Sequence, residues 1–313
     1  MKEGGREQMG RVSTKVIGVF TVWLAVAMTL SIADAQQVER PLRPSPSQGL
    51  AVIPFMEGWY DNGDGSTTVS FGYHNRNKVN VVVPLGSENR IEPAQFDGLQ
   101  PEIFFPGRHP GVFAIVIPAS LGDETAWWHI TSASEELSVP GERGSTAYEL
   151  DRNPRPQGSV QPVIWFSDEK RGSGPEGVVA SATKTVSVGA QLTLEVWTED
   201  PSVRDASDPR FAKPLDTNVS WYIHQGPGVV SFTEHPSSPF TVKGGPPVRG
   251  LIPVADTRVS IPGGVGPARV VASFSQPGVY MIRARLDNWN ASDSDGLDQC
   301  CWTNAYQRVR VVP

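Results

Sequence analysis

Two adjacent residues, Cys300 and Cys301, are the only cysteines in a chain of 313 residues. Neighbouring thiols can bond to each other, bridge to another chain, or stay free and reactive. Adjacent Cα atoms lie about 3.8 Å apart, whereas ordinary disulfides span about 4.4–6.8 Å, so a bond between them closes a tight ring. In an oxidising compartment we expect this vicinal disulfide, beside Trp302; the intermolecular bridge and the free thiols are the alternatives.

A run of carboxylates precedes the cysteines, in the sequence NWNASDSDGLDQC. It includes Asp293, Asp295 and Asp298. Calcium takes about six to eight oxygen ligands, which closely spaced carboxylates on a loop can supply, although the distal Glu of an EF-hand is missing here. The three aspartates are therefore predicted as a calcium site. The alternative is a solvated loop whose Asp and Asn side chains cap their own backbone.

Residues for nucleophilic catalysis do not form a recognisable motif. The sequence has no Gly-x-Ser-x-Gly elbow, no Gly-rich phosphate loop and no His-Glu-x-x-His, and its five histidines are scattered. A carboxylate pair for glycoside hydrolysis needs no fixed spacing in sequence, so a hydrolase remains an alternative. The sequence favours a protein that is not an enzyme.

Aromatic side chains are the stronger candidates for ligand contact. Trp59 is followed by Tyr60, and Trp127 by Trp128. Because side chains alternate faces along a strand, one member of each pair should point away from the core. We expect outward rings among these four residues and Trp302 to stack on a sugar ring or fill a partner's pocket. The alternative is that the rings pack under loops or against a second domain.

The first 35 residues predict export. A basic lead-in precedes an apolar run over residues 16–33, and the small-x-small sequence Ala-Asp-Ala ends the segment at residue 35. That order is typical of a secretory signal peptide; a retained membrane helix is the alternative. We expect a secreted or periplasmic chain with no membrane span after cleavage. A formal net charge of −6 argues against a nucleic-acid partner.

Short apolar runs separated by Gly- and Pro-containing turns predict strands over the rest of the chain. TTVSFGYH (67–74) alternates as a half-buried strand does, and LTLEVW (192–197) alternates in the same way. We expect an all-β protein with two β-sandwich domains, the C-terminal one immunoglobulin-like. The predicted organisation is a signal peptide (1–35), a disordered Pro/Ser-rich lead (36–50), an N-terminal β-sandwich (51–150), a Pro/Gly-rich connection (151–177) and an immunoglobulin-like β-sandwich (178–313).

Two sets of residues carry a resemblance to known proteins. The run ASFSQPGVYMIRARLDN (272–288) resembles the closing hairpin of polycystin-type (PKD) repeats, with its aromatic residue, Pro-Gly turn, Tyr and alternating apolar positions. The runs GWYDNGDGSTTVSFGYHNRN and CCWTNAYQRVRV resemble a set of uncharacterised secreted bacterial proteins. The resemblance implies a PKD-like sandwich and a location at the bacterial envelope, and it implies no activity.

These observations predict a secreted, non-catalytic binding or scaffolding module at the bacterial envelope. Its partner would be a protein or glycan surface, and calcium is the one cofactor considered. The first alternative is a carbohydrate-binding protein that uses exposed aromatic rings. The second is a hydrolase with an unrecognised carboxylate pair.

Overall fold

The structure is a computed structural model that describes residues 46–150, 153–167, 169–243, 253, 255–296 and 299–313. Residues 46–313 form one compact unit. The predicted signal peptide (1–35) lies outside the described residues, as does the predicted lead up to residue 45. Among the residues described, no helix has the length and apolar composition that crossing a bilayer requires.

The described residues form nineteen strands and six short 3-10 helices. The strands are β1 Val52–Asp61, β2 Thr67–Asn75, β3 Val81–Val82, β4 Asn89–Glu92, β5 Ile103–Phe104, β6 Gly107–Ile117, β7 Ala126–Ser132, β8 Glu135–Gly141, β9 Val163–Trp165, β10 Val178–Val179, β11 Lys184–Ser187, β12 Leu192–Glu199, β13 Thr217–Gln225, β14 Val230–Glu234, β15 Phe240–Val242, β16 Arg258–Ile261, β17 Val265–Phe274, β18 Gly278–Asp287 and β19 Trp302–Val312. The 3-10 helices are Ala94–Phe96, Ala119–Leu121, Thr146–Tyr148, Pro209–Phe211, Pro262–Gly264 and Gln299–Cys301. The all-β prediction is confirmed.

The first sandwich packs aromatic side chains between two three-stranded sheets. One sheet has the order β1-β2-β6 and the other β4-β7-β8, with a β3-β5 pair beside them. Phe71 on β2 lies opposite Phe113 on β6, and their ring centroids are 5.1 Å apart. Trp128 reaches over from β7 and meets Phe113 edge-on at 4.9 Å. Edge-on and offset ring pairs add about 0.5–1.5 kcal/mol beyond the burial of their area, so these rings define the core.

The second sandwich has immunoglobulin-like strand neighbours. One sheet has the order β9-β12-β17-β14, and the other runs β15-β16-β13-β18-β19, with β10 and β11 both parallel to β19. In immunoglobulin domains the second and fifth strands lie in one sheet, and the third, sixth and seventh lie in the other. Here β12 and β17 share one sheet, and β13, β18 and β19 share the other. Trp221 on β13 is buried in the core between the sheets.

The connection predicted over residues 151–177 contributes a strand to the second sandwich. Within it, β9 pairs with β12, and Trp165 lies opposite Trp197. Ile164 and Phe166 are buried in the same core as Trp221. The domain boundaries given above stay a prediction.

The face of β18 that points away from the second core is polar and nevertheless buried. Ile282, Ala284 and Leu286 point into the core, so Arg283 and Arg285 point to the opposite side. Both arginines are buried. Such a face needs hydrogen-bonding partners, because a buried polar group without a partner is strongly destabilising.

A bulge in β6 of the first sandwich supplies partners for Arg283 and for two neighbouring residues of β19. Phe71 and Tyr73 pair with Phe113 and His109, which leaves residues 110–112 opposite Gly72 alone. The carbonyls freed by this bulge then accept hydrogen bonds from the second sandwich. The bonds are Tyr306 Oη to Val112 O at 2.7 Å, Arg283 Nη1 to Val112 O at 3.3 Å, and Asn304 Nδ2 to Gly111 O at 2.7 Å.

The loop before β5 makes a second set of bonds with the end of β13. His224 Nε2 donates to Leu99 O at 2.7 Å, and the His224 carbonyl accepts from Glu102 N at 2.9 Å. Gln225 donates to the carbonyls on either side of Leu99, at 3.0 and 2.7 Å. The Glu102 side chain accepts from Gly226 N at 2.8 Å. Because a carbonyl only accepts, the Nε2 atom of His224 must carry the proton.

Substitution of Gly111 tests how closely the β6 bulge packs on β19. Gly111 has φ +54°, and a Cβ built there lies 2.5 Å from the Trp302 ring. We expect Gly111→Ala to lower the free energy of unfolding by about 2–4 kcal/mol, from backbone strain and steric overlap together. Urea unfolding measures this change.

Gly63→Ala is the matched control for that substitution. Gly63 has φ +78° and nothing within 4 Å of a built Cβ, so it should lose only about 1–2 kcal/mol from backbone strain. Equal destabilisation by the two substitutions would contradict close packing of Trp302 on the bulge.

Buried histidines predict loss of stability in acid. Burial, reinforced by the charge of Arg283, lowers the pKa of His109 and of His224 to about 3 from 6.5. Between pH 6.5 and pH 3 the unfolded chain therefore binds protons that the folded chain does not. The contribution of these two histidines to the free energy of unfolding should be fully present above pH 6.5. Below that pH the free energy of unfolding should fall by about 1.4 kcal/mol per pH unit for each histidine.

The measurement is urea unfolding at several pH values for the wild type and His224→Gln. Glutamine keeps a donor for Leu99 but removes the titrating group, so the pH slope should decrease. Carboxylates contribute equally to both proteins and cancel in the comparison. An unchanged slope in the variant would contradict the assignment of a depressed pKa to His224.

Candidate functional site

Cys300 and Cys301 are joined by a disulfide, as predicted, with their Cα atoms 3.7 Å apart. They lie in the 3-10 helix that leads into β19, and the Cys301 carbonyl accepts a hydrogen bond from Asn288 N at 3.2 Å. Cys300 is 1% exposed and Cys301 is 0% exposed. Cysteines buried this deeply are closed to an external ligand in this structure.

Trp302 is also buried, for a reason that its sequence neighbours do not reveal. Its ring packs directly on Gly111 of the β6 bulge, at the junction of the two sandwiches. A side chain at an interface within the chain is unavailable to an outside ligand. Trp302 thus packs the start of β19 against the β6 bulge.

Trp59 and Tyr60 are both buried, although the alternation of a strand should turn one of them outward. A later segment of the chain covers the outer side of β1. Trp59 Nε1 donates to Ser145 O at 3.2 Å, and the Trp59 carbonyl accepts from Leu150 N at 2.7 Å. The Tyr60 hydroxyl hydrogen-bonds to the carboxylate of Glu176. These two rings are covered by their own chain in this structure.

Trp127 and Trp128 follow the predicted alternation. Trp128 is fully buried and donates from Nε1 to Asn89 Oδ1 at 3.1 Å. Trp127 is 41% exposed. Trp127 is thus the one ring of the five predicted ligand-contacting residues that an external ligand reaches in the described structure. Ligand binding by any of the five stays a prediction.

An open surface pocket of about 700 Å³ surrounds Trp127. Glu92 on β4 lies directly opposite Trp127 on β7, so sheet register places a carboxylate beside the indole. Asp123, Glu124 and Thr125 line the same pocket from the loop that leads into β7. The Trp127 pocket, as we call it, thus combines one exposed aromatic ring with three carboxylates and a hydroxyl.

The ionisable side chains that line the Trp127 pocket are all carboxylic acids. Arg90 Nε donates to Glu92 Oε1 at 2.9 Å, and this hydrogen bond holds the pKa of Glu92 below its ordinary value. The His129 ring stacks beside the Trp127 ring, with centroids 6.4 Å apart. Its Nε2 atom lies 3.8 Å from Glu92 Oε2. A charged Glu92 accepts hydrogen bonds and attracts cations.

The predicted calcium ligands are engaged differently. Asp293 accepts hydrogen bonds from Gln157 N and Ser159 Oγ, both at 2.7 Å. Burial raises the pKa of Asp293, but these bonds outweigh it and the pKa is lowered. Asp295 is half-buried in the same loop, and Asp298 lies outside the described residues. No group of three or more His, Cys, Asp or Glu residues in the described ranges is placed to hold a metal ion, and calcium stays a prediction.

A cluster of arginines and aromatic rings on the outer face of β18 was missed at the level of sequence. The arginine–aromatic cluster consists of Tyr222, Arg258, Arg283, Arg285, Asp287 and Trp289. The available signal was the alternation in IRARLD, which places Arg283, Arg285 and Asp287 on one face of a strand. Only the structure shows that this face is buried.

No known family model matches this chain, and no curated protein sequence matches it. Among solved structures, it is similar to the D00-D0 domain of Intimin, at 13% sequence identity and a TM-score of 0.22. The match covers 84% of this chain and 100% of that domain. A TM-score this low identifies neither fold nor function. The resemblance to PKD repeats stays a prediction.

Thiol labelling tests the buried disulfide. We expect iodoacetamide to label neither cysteine without a reductant, because both sulfurs are bonded. With dithiothreitol, labelling should be much faster in denaturant than in native buffer, because both residues are buried. Intact-mass spectrometry counts the added groups, and the double variant Cys300→Ser/Cys301→Ser is the unlabelled control. Labelling before reduction, or a disulfide-linked dimer on a gel, would contradict the structure.

Proposed function

We propose that this protein is a secreted or periplasmic, non-catalytic binding module of the bacterial envelope, and that it binds a glycan in the Trp127 pocket. The observation that carries the proposal is the exposure of Trp127 among three carboxylates in an open pocket. A protein surface is the alternative partner.

The chemistry of the pocket matches that of a sugar ring. The apolar face of a pyranose stacks on an indole, while its hydroxyl groups donate to carboxylates. Glu92 lies opposite Trp127 in the sheet, and Asp123 and Glu124 lie on the adjoining loop. The open shape suits a chain of sugars that extends beyond the pocket. Strands fix both Glu92 and Trp127, which keeps the ordering cost of binding low.

Export is supported by two independent features. The first 35 residues have the order of a signal peptide. Disulfides persist in oxidising compartments and are rare in the cytosol, and Cys300 and Cys301 form one. Both features fit a protein that works outside the cytoplasm.

The three carboxylates also favour a second candidate, a glycoside hydrolase. Such enzymes use two carboxyl groups, one of which must be protonated to act as the acid. The lowered pKa of Glu92 is the reverse of what that acid needs, so Asp123 or Glu124 would have to be the acid. Release of reducing sugar that Glu124→Gln abolishes would contradict the non-catalytic proposal.

Removal of the exposed indole tests the binding proposal. We expect Trp127→Ala to weaken binding of an oligosaccharide about tenfold or more, because the stacking surface is lost. A glycan array selects the oligosaccharide, and calorimetry measures affinity for the wild type and the variant. Trp197→Ala is the matched control, since Trp197 also neighbours a carboxylate, Glu195, but lies on the second sandwich. The proposal would be overturned if no glycan on the array bound, or if Trp127→Ala bound the oligosaccharide as tightly as the wild type.

A further inference from the structure

The arginine–aromatic cluster stacks cations and rings alternately across the outer face of β13, β16 and β18. The Arg283 guanidinium lies 4.7 Å from the centroid of the Tyr222 ring, and Arg285 lies 5.5 Å from the same ring. Arg285 also faces Trp289, at 4.7 Å. The Arg258 guanidinium, on β16, lies 5.6 Å from the centroid of the Trp289 ring. Three guanidiniums thus share two rings.

One carboxylate neutralises part of this charge. Asp287 is fully buried, and its Oδ1 accepts from Arg258 at 3.0 Å and from Asn218 at 3.2 Å. Burial raises the pKa of Asp287 against the opposing charge of Arg258. With Asp287 ionised, three cations and one anion leave the cluster with a net charge of two positive units.

Several donors of the cluster have no hydrogen-bond partner within the described part of the chain. They are the Nε atoms of the three arginines, the Tyr222 hydroxyl and the Trp289 indole N–H. Arg285 is 2% exposed, and its described contacts are the two ring faces and the charge of Asp287. A buried guanidinium without an ion-pair partner is strongly unfavourable, because burial removes its hydration.

A second Arg–Trp pair in the same protein shows the usual solution. Arg171 lies 4.1 Å from the centroid of the Trp165 ring and donates to Glu199 at 2.7 Å. That guanidinium is both paired and largely exposed. Arg285 has ring contacts and is buried, but no carboxylate among the described residues forms an ion pair with it. A bound anion would supply that partner.

We propose that the arginine–aromatic cluster is a binding site for an oxyanion, a sulfate, phosphate or carboxylate group held between Arg285, Arg258 and Trp289. Guanidinium groups bind such anions through paired N–H donors, and the indole N–H adds a third. Trp289 is half-buried and the Arg258 side chain is 14% exposed, so the site is reached at this edge. This site is separate from the Trp127 pocket and does not depend on the proposed glycan function.

Calorimetry and thermal unfolding at constant ionic strength test the proposal. The probes are sodium sulfate, sodium phosphate and sodium glucuronate, each at low millimolar concentration, with sodium chloride as the reference. We expect at least one oxyanion to bind saturably and to raise the melting temperature of the wild type. A response to sulfate or phosphate alone assigns a free inorganic ion, whereas a response to glucuronate assigns the acidic group of a sugar.

Variants of the cluster make the test specific. Arg285→Met should bind the oxyanion at least ten times more weakly than the wild type. In sodium chloride its melting temperature should equal or exceed that of the wild type, because the substitution removes a buried charge that has no ion-pair partner. Arg258→Gln, at the exposed edge, should weaken the response too and serves if Arg285→Met does not fold. Arg171→Met is the control and should respond as the wild type does. No saturable response to any oxyanion, or one that persists in both cluster variants, would overturn the proposal.

Discussion

The contact on which the rest of the structure depends is the seating of the β6 bulge on the polar face of β18 and β19. Gly111 and Val112 offer carbonyls that the sheet ladder does not use, and Asn304, Tyr306 and Arg283 donate to them. Each such bond contributes about 0.5–1.5 kcal/mol net, but a donor left unpaired in this buried layer costs about 1–3 kcal/mol. The bulge therefore specifies how the sandwiches meet as well as stabilising the contact.

That contact divides the functional candidates into two groups. Trp302 is enclosed because it lies against the bulge, and the disulfide before it is buried with it. The Trp127 pocket lies in the β4-β7-β8 sheet and keeps its surface open. The arginine–aromatic cluster extends along the same polar face toward β16, where Arg258 is paired with Asp287 and the Nε atom of Arg285 has no hydrogen-bond partner in the described part of the chain. The contact thus encloses Trp302 and the disulfide, and the two proposed binding sites lie on different sheets.

Local patterns in the sequence were enough to predict strands and the vicinal disulfide. Alternation also predicted that one ring of the Trp127–Trp128 pair points outward, and Trp127 does. Alternation did not predict the burial of both Trp59 and Tyr60, because residues 145–150 and Glu176 return to cover β1. Nor did it predict that β2, expected to be half-buried, is buried at Thr68 and Ser70 as well as at Val69 and Phe71. Alternation reports the two faces of a strand, but what covers the second face is decided by residues far away in sequence.

The account rests most directly on residues 46–313 behaving as one cooperative body. Native-state hydrogen exchange measures this, through the opening free energies of amides in β2 of the first sandwich and β18 of the second. If the β6 bulge joins the sandwiches as the structure shows, the slowest amides of both strands should exchange through one global opening with the same free energy. A first sandwich whose amides open several kcal/mol more easily than those of β18 would contradict it.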